Sequence, residues 1–323
     1  MNTLLKLAGT AVLTVAASSS AALAQNWPER PVTMIVAAGA GGGTDATARL
    51  LAADLEEIFG QPFNVVNRAE GGGIAGITEL ANAAPDGYTI GILFNYAPYR
   101  HLGMGNLTSA SYTPIAQYNF DSAAIHVKAD SEIQTLDEVI AALQENPQSL
   151  TIGCAATCPS SWSSAFSKVL IDQGIDITAL RWVPSQGAAA GLQELVAGGV
   201  DVLTASVPEA ASMLDAGEIR TLAVLSEERL DTFPDIPTAG EQIEGAAPGG
   251  VFRAVAGPAG LPEEVTTKLA EAIEQIYQGD DFQTAMNARG FGLQYRNSAE
   301  LLDWMLIHEA DTETVLRAAG VIE

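Results

Sequence analysis

A short apolar run followed by a cluster of glycines constrains this chain more than any other feature. Val32–Val36 contains a β-branched Ile-Val pair and predicts a buried strand, and glycine occupies four of the five positions 39–43. Thr44 or Asp45 then caps the helix that follows. A strand, tight turn and helix in this order bring backbone N–H groups to a helix N-terminus, where orphan donors and the helix dipole attract an anion. The segment predicts an anion-binding turn without a catalytic group.

The first 24 residues are expected to be a cleaved signal peptide. Lys6 gives a weakly positive start, the stretch from Leu7 to Ala17 is mostly apolar, and Ala22-Leu23-Ala24 has small residues where a signal peptidase reads them. A membrane anchor needs about 20 mostly apolar residues, and Ser18-Ser19-Ser20 interrupts this run too early. No cysteine follows residue 24 directly, so no lipid anchor is expected. The mature chain is therefore predicted to be periplasmic.

The chain is strongly acidic, with 15 Lys or Arg against 39 Asp or Glu and a formal charge of −24. Such a charge keeps a protein soluble and argues against nucleic acid and anionic lipid as partners. The length that remains after the signal peptide suits one large domain or two of ordinary size. A negatively charged ligand would need a site that is locally positive.

Cys154 and Cys158 are the two cysteines of the sequence, and their spacing leaves two interpretations open. In an oxidising compartment a disulfide that braces this loop is favoured, whereas the tight spacing restricts the geometry and keeps two free thiols as the alternative. Zinc needs four ligands, or three and a water, so this pair predicts no metal site. His101, His126 and His308 are scattered and are expected at the surface or with satisfied partners.

Strand and helix patterns alternate beyond residue 24, which indicates α/β layering. Strands are predicted at Tyr88–Leu93 and then at Ala124–Val127, with no element assigned between them. Met34–Leu55 and Thr151–Leu170 both run from a strand through a small-residue loop into a helix. Two such units facing each other would place a ligand beyond the carboxyl ends of their strands.

Two enzyme classes compete with a binding function. In a dinucleotide-binding unit, Thr44 would stand where the third glycine of the fingerprint belongs, and Asn67-Arg68 follows the second strand where a ribose wants an acid. A serine or cysteine hydrolase needs a G-x-S-x-G elbow, which the sequence lacks, or a histidine beside Ser160 or Cys158, which nothing in the sequence places. We therefore expect no catalysis and no cofactor, with a dinucleotide-dependent enzyme as the weaker alternative.

An ordered set of motifs spans the mature chain. It begins with Trp27-Pro28-x-Arg30-Pro31-Val32, Gly42-Gly43-Thr44-Asp45, Gly71-Gly72-Gly73-Ile74-Ala75-Gly76 and Ala84-Pro85-Asp86-Gly87-Tyr88-Thr89. It continues with Gly198-Gly199-Val200-Asp201, Pro234-Asp235-Ile236-Pro237-Thr238 and Gly257-Pro258-Ala259-Gly260-Leu261-Pro262. In these motifs the chain closely resembles the solute-binding receptors of tripartite tricarboxylate transporters, the Bug or TctC family.

The resemblance implies a type II periplasmic-binding-protein fold, in which two α/β lobes enclose a central ligand cleft. One lobe would comprise residues 25–123 and 248–323, and the other residues 124–247. In this family a carboxylated solute, of the di- or tricarboxylate class among others, lies between the lobes, and the loaded receptor delivers it to a membrane transporter with two subunits. The family's habit implies a monomer. A periplasmic carboxylate sensor that feeds a two-component kinase is the alternative within the binding class.

The resemblance also implies two ligand loops, at residues 40–45 and 155–161. In the first loop we expect backbone and hydroxyl donors from Ala40, Gly41, Gly42, Gly43 and Thr44. Asp45 is expected to brace or cap the loop, because its charge would repel an anion. In the second loop the expected donors belong to Ala155, Thr157, Ser160 and Ser161.

Three further cleft residues are predicted, namely Asn95, Ser206 and Arg253. The guanidinium of Arg253 can hold a carboxylate bidentately or pair with an acidic neighbour, and both interpretations stay open. The remaining aromatic side chains, including Trp182 and Trp304, are expected in the core.

Overall fold

The computed structural model describes residues 27–155, 158, 162–185 and 187–323, so the predicted signal peptide lies outside the described residues. The strands are β1 Val32–Val36, β2 Phe63–Asn67, β3 Thr89–Leu93, β4 Tyr112–Ser122, β5 Ala124–Lys128, β6 Thr151–Ala155, β7 Arg181–Ser185, β8 Val202–Ala205, β9 Ile219–Val224, β10 Gly250–Pro258 and β11 Leu293–Arg296. The helices are α1 Gly43–Phe59, α2 Ile74–Ala81, α3 Pro98–His101, α4 Leu136–Glu145, α5 Trp162–Asp172, α6 Ala188–Ala197, α7 Val207–Asp215, α8 Glu263–Gln278, α9 Asp280–Asn287 and α10 Ser298–Ala318.

The strands form two mixed sheets. The first has the order β11-β4-β10-β3-β1-β2, and the second has the order β7-β6-β8-β5-β9. The chain passes from the first sheet to the second between β4 and β5 and returns between β9 and β10. Within the first sheet β1 pairs in parallel with β2 and β3, and within the second β6 pairs in parallel with β7 and β8. The carboxyl ends of these strands therefore collect at one edge of each sheet.

The first sheet is buried on both faces, which explains why β1 is apolar at every position except Thr33. Met34 packs into one core cluster with Leu51 and Leu55 of α1, whereas Ile35 packs into another with Ile77 of α2. Full burial of each such side chain contributes about 1.5–3 kcal/mol. This packing holds α1 against β1, and thereby holds the glycine turn that joins them.

Helix α1 has a well-defined end and a bare beginning. Gly60 closes it in the left-handed conformation, with its N–H donating to the carbonyl of Glu56 at 2.9 Å. At the other end Gly42 is the N-cap residue and contributes no side-chain hydrogen bond.

Across the described parts of the chain, no helix combines the length and the apolar character that a membrane crossing requires.

Candidate functional site

The glycine turn lies at the carboxyl end of β1, where it leads into α1. Residues 39–42 are exposed, whereas Gly43 and Thr44 are buried, and Gly41 adopts a positive φ of 80° that favours glycine. The backbone N–H groups of Gly42, Gly43 and Thr44 have no protein hydrogen-bond partner among the described residues. Orphan donors at the positive end of a 17-residue helix make this turn attractive to an anion.

Asp45 braces the turn from inside. It is 4% exposed, and its carboxylate accepts hydrogen bonds from the Gly41 N–H at 2.8 Å, Arg49 Nε at 3.1 Å and Asn67 Nδ2 at 3.0 Å. Burial by itself raises the pKa of Asp45, but the hydrogen bonds from Arg49, Gly41 and Asn67 outweigh it and lower the pKa. The N–H of Gly41 is thus already used, which corrects the expectation that this amide serves a solute.

Arg253 points to the same turn from β10, and it forms an ion pair. Its side chain is 1% exposed, Nη1 donates to Asn119 and Asp121 on β4, and Nε donates to Thr44 Oγ1 at 2.9 Å. Burial alone would lower the pKa of Arg253, but the charges of Asp121 and Glu209 raise it. Of the two interpretations left open by the sequence, the structure shows the acidic partner. Arg253 thereby positions the hydroxyl of Thr44, and its Nη2 lies beside Gly43, so a direct contact with a solute stays a prediction.

Ser206 is occupied as well. It is fully buried at the N-cap of α7, where its hydroxyl donates to Glu209 Oε2 at 3.2 Å and accepts from the Glu209 N–H at 3.4 Å. The backbone N–H of Ser206 also donates to Glu209 Oε2 at 3.5 Å, which together with the bond from the Glu209 N–H makes a capping box. The hydroxyl is thus engaged within the cap, and its role toward a solute stays a prediction. The sequence carries the signal for this cap, because a glutamate stands three residues after the serine.

Glu209 is a site residue that the sequence analysis missed. A Cβ placed on Gly43 would lie 3.3 Å from Glu209 Oε1 and 2.8 Å from Arg253 Nη2. Only glycine fits this position without a shift of its neighbours. Burial raises the pKa of the Glu209 carboxyl, while the charge of Arg253 opposes that shift. Helix α7 of the second sheet therefore reaches the turn of the first sheet at this point.

The second predicted loop begins where β6 ends. Cys154 and Cys158 are joined in a disulfide with a Cα–Cα distance of 5.9 Å, so the disulfide rather than the free thiols is observed. Ala155 is the last residue of β6. The predicted ligand residues Thr157, Ser160 and Ser161 lie outside the described residues.

A cavity of about 550 Å³ lies on the opposite face of the first sheet, between the C-terminal helix α10, helix α5 and the ends of β3 and β4. Asn95, which is 8% exposed, is the predicted site residue that lines it. Trp304 is half-buried in the wall of this cavity and not enclosed in the core as expected. The residues of the glycine turn do not line this cavity.

Within the described part of the chain, no group of His, Cys, Asp and Glu side chains could hold a metal ion.

The sequence and the fold are both similar to those of known proteins. The family model described as TctC, tripartite tricarboxylate transporter family receptor, matches residues 47–320. A UPF0065 protein of Bordetella pertussis is 33% identical over 291 residues, which cover 89% of this chain and 88% of that protein.

Two solved structures are also similar. Rpa4515 of R. palustris, solved with adipate, is 26% identical with a TM-score of 0.80, over 91% of this chain and 98% of that chain. MatC of Rhodopseudomonas palustris, solved with bound malate, is 25% identical with a TM-score of 0.74, over 92% of this chain and 100% of that chain. These likenesses confirm the predicted α/β periplasmic-binding-protein fold.

Proposed function

Because the chain belongs to the tripartite tricarboxylate transporter receptor family, we propose that it captures a small di- or tricarboxylate at the glycine turn and delivers it to a two-subunit membrane transporter. One observation carries this proposal: the N–H groups at the start of α1 have no protein partner in the described structure, although the helix places its positive end there. Hydrogen bonds from such amides to a charged acceptor contribute about 1.5–3 kcal/mol each.

The two sheets converge on this turn, which supports binding by closure. Gly43 belongs to the first-sheet side and Glu209 to the second-sheet side, and they nearly touch. We propose that residues 25–123 with 248–323 form one lobe and residues 124–247 the other, and that a solute held between them favours the closed arrangement. The loops after β6 and β8 would complete the pocket from the second lobe, with the disulfide limiting the freedom of the first of them.

The setting of the receptor is part of the same proposal. Export through a signal peptide cleaved after residue 24 would place the mature chain in the periplasm as a monomer without a lipid anchor. Relatives that were solved with adipate and malate support a carboxylate as the solute. The chain as a whole is strongly negative, so the attraction for an anion must come from the glycine turn and the N-terminus of α1.

The first test replaces Gly43 with alanine. The new methyl group would press on Arg253 and Glu209 and disturb the amides beside it, so we expect binding of malate or adipate to weaken at least 10-fold, which corresponds to about 1.4 kcal/mol. The measurement is isothermal titration calorimetry on the mature protein, after a thermal-shift screen of mono-, di- and tricarboxylates. In that screen a ligand at 100 times its Kd stabilises the protein by about 2.7 kcal/mol.

Gly39→Ala is the matched control, because a Cβ there meets no atom within 4 Å. It adds the same methyl group to the same turn and is expected to change affinity less than about threefold. Circular dichroism confirms that both variants are folded. If no carboxylate binds the parent protein, or if Gly43→Ala binds as the parent does, the proposed site is refuted.

A further inference from the structure

The cavity behind α10 draws its walls from both sheets. Lys168 comes from α5 beside the second sheet, Arg296 ends β11 of the first sheet, and Trp304 and His308 come from α10. Its volume of about 550 Å³ falls within the range of roughly 300–1,000 Å³ that small-molecule sites occupy. It is separate from the glycine turn, because side chains that flank it, such as Phe252, point away from the face that carries Arg253.

Arg296 distinguishes this cavity chemically. Its Nη1 donates to the amide oxygens of Gln117 at 2.6 Å and Gln294 at 2.9 Å, and its guanidinium lies 4.3 Å from the centre of the Trp304 ring. No carboxylate of the described residues lies within 4.0 Å of it, whereas Arg253 has Asp121. Burial lowers the pKa of Arg296 despite the charge of Glu300. A half-buried guanidinium held by neutral oxygens is suited to a planar oxyanion.

The other charged groups around the cavity are paired or exposed to solvent, so Arg296 is the residue expected to bind an anion. Lys168 is paired with Asp311 at 3.8 Å, and Glu227 is exposed to solvent, which screens its charge. His308 is neutral near pH 7, because burial lowers its pKa to about 4.

Aromatic rings form the apolar wall. Trp304 meets Phe120 edge-on at 6.1 Å and Phe252 at 6.4 Å between ring centroids. Two lining residues also bury a ring nitrogen without a hydrogen-bond partner in the described structure, Nε1 of Trp304 and Nε2 of His308. Flat rings beside an unpaired guanidinium match a molecule with an apolar planar body and one anionic end.

We propose that this cavity is a second binding site, which takes a flat, apolar-bodied monocarboxylate such as an aromatic acid. The carboxylate is held by the edge of the Arg296 guanidinium that the glutamines leave unused, and the ring of the ligand lies against Phe120 and Trp304. Because the walls belong to both sheets, the occupied cavity ties α5 to α10. This site does not depend on binding at the glycine turn.

The test uses benzoate as the anionic probe and benzamide as its neutral counterpart. By calorimetry and ligand-observed NMR, benzoate is expected to bind the parent at least 10-fold more tightly than benzamide. Arg296→Gln keeps a polar side chain without the charge and should weaken benzoate binding at least 10-fold. Arg296→Lys keeps the charge without the planar fork and should fall between the two.

Arg289→Gln is the matched control. Arg289 follows the end of α9, is exposed, donates to the Ala285 carbonyl of that helix, and does not line the cavity, so benzoate binding should stay unchanged. Equal binding of benzoate and benzamide, or unchanged affinity in a folded Arg296→Gln protein, overturns the inference. Benzoate binding that is lost in Gly43→Ala but kept in Arg296→Gln also overturns it, and assigns the acid to the glycine turn instead. A parent protein that binds malate but not benzoate refutes the second site alone.

Discussion

Replacement of Arg253 by methionine is expected to lower the free energy of unfolding by about 3–5 kcal/mol, because the buried partner charge stays behind. Arg253 and Asp121 are 1% and 2% exposed, so water cannot take the place of the lost ion pair. The substitution also removes the donors to Asn119 and Thr44. Urea unfolding at pH 7, followed by circular dichroism, measures the effect through the midpoint at constant m-value.

Two controls separate the buried charge from lost packing. The double variant with Asp121→Asn removes the stranded carboxylate and is expected to recover part of the loss, which a double-mutant cycle quantifies. Arg30→Met removes an exposed pair with Asp86, whose side chains are 61% and 48% exposed, and should cost less than about 1 kcal/mol. If Arg253→Met costs no more than Arg30→Met, the buried pair does not stabilise the fold as its geometry indicates.

The same pair has a consequence for the candidate site. Nε of Arg253 fixes the hydroxyl of Thr44, and Asp45 fixes the N–H of Gly41, so the turn is held at both ends. The amides between these two points are then presented without side chains that must be ordered on binding. Such preorganisation reduces the entropic cost of capturing a small ligand.

Local patterns were sufficient to predict the first strand, the glycine turn and its helix. Periodicity in β1 and α1 comes from packing against each other, and the glycines mark the turn by their own conformational freedom. The bracing role expected of Asp45 follows from its position in the first helical turn. These features depend on residues within a few positions of one another, which a sequence displays directly.

The strand β4 could not be recognised in the same way. It buries the polar residues Gln117, Asn119 and Asp121 among apolar ones, and residues 115–119 are buried in succession, so it lacks the alternation that marks a half-buried strand. These side chains are satisfied by partners far along the chain, since Arg253 is 132 residues from Asp121. The strand β11 is only four residues long and pairs with β4 at two positions.

The roles of individual polar residues also depend on partners that are distant in the sequence. The sequence drew attention to Arg253 as a ligand contact, but its acidic partner was invisible until β4 and β10 were paired. Arg296, which has no acidic partner within 4.0 Å among the described residues, carries no local signal. Whether an arginine has an acidic partner depends on the folded surroundings, and a single sequence does not reveal it.

Stability is expected to fall as the pH is lowered from 6.5 to 4, and His126 should account for about 3 kcal/mol of this loss. His126 is fully buried on β5, where Nδ1 shares a 2.9 Å hydrogen bond with Thr221 and Nε2 has no partner in the described structure. Burial lowers its pKa from 6.5 to about 4, against a small opposing contribution from the Ala205 backbone.

The sign follows from proton uptake. Between pH 6.5 and 4 the unfolded chain binds a proton at this histidine and the folded chain does not, so acid favours unfolding. Below about pH 4 both states are protonated and this contribution stops changing. His126→Gln removes the titrating group and should flatten the dependence of the unfolding free energy on pH, although His308, whose pKa is also lowered to about 4, retains its own share.

His101→Gln is the matched control, because His101 is only partly buried and should leave most of the slope in place. The experiment is urea unfolding at half-unit steps from pH 7 to pH 4, on the parent and both variants. An unchanged slope in His126→Gln would mean that the imidazole is protonated inside the folded protein. The backbone of Ala205 on β8 would then be the hydrogen-bond acceptor that stabilises the protonated ring.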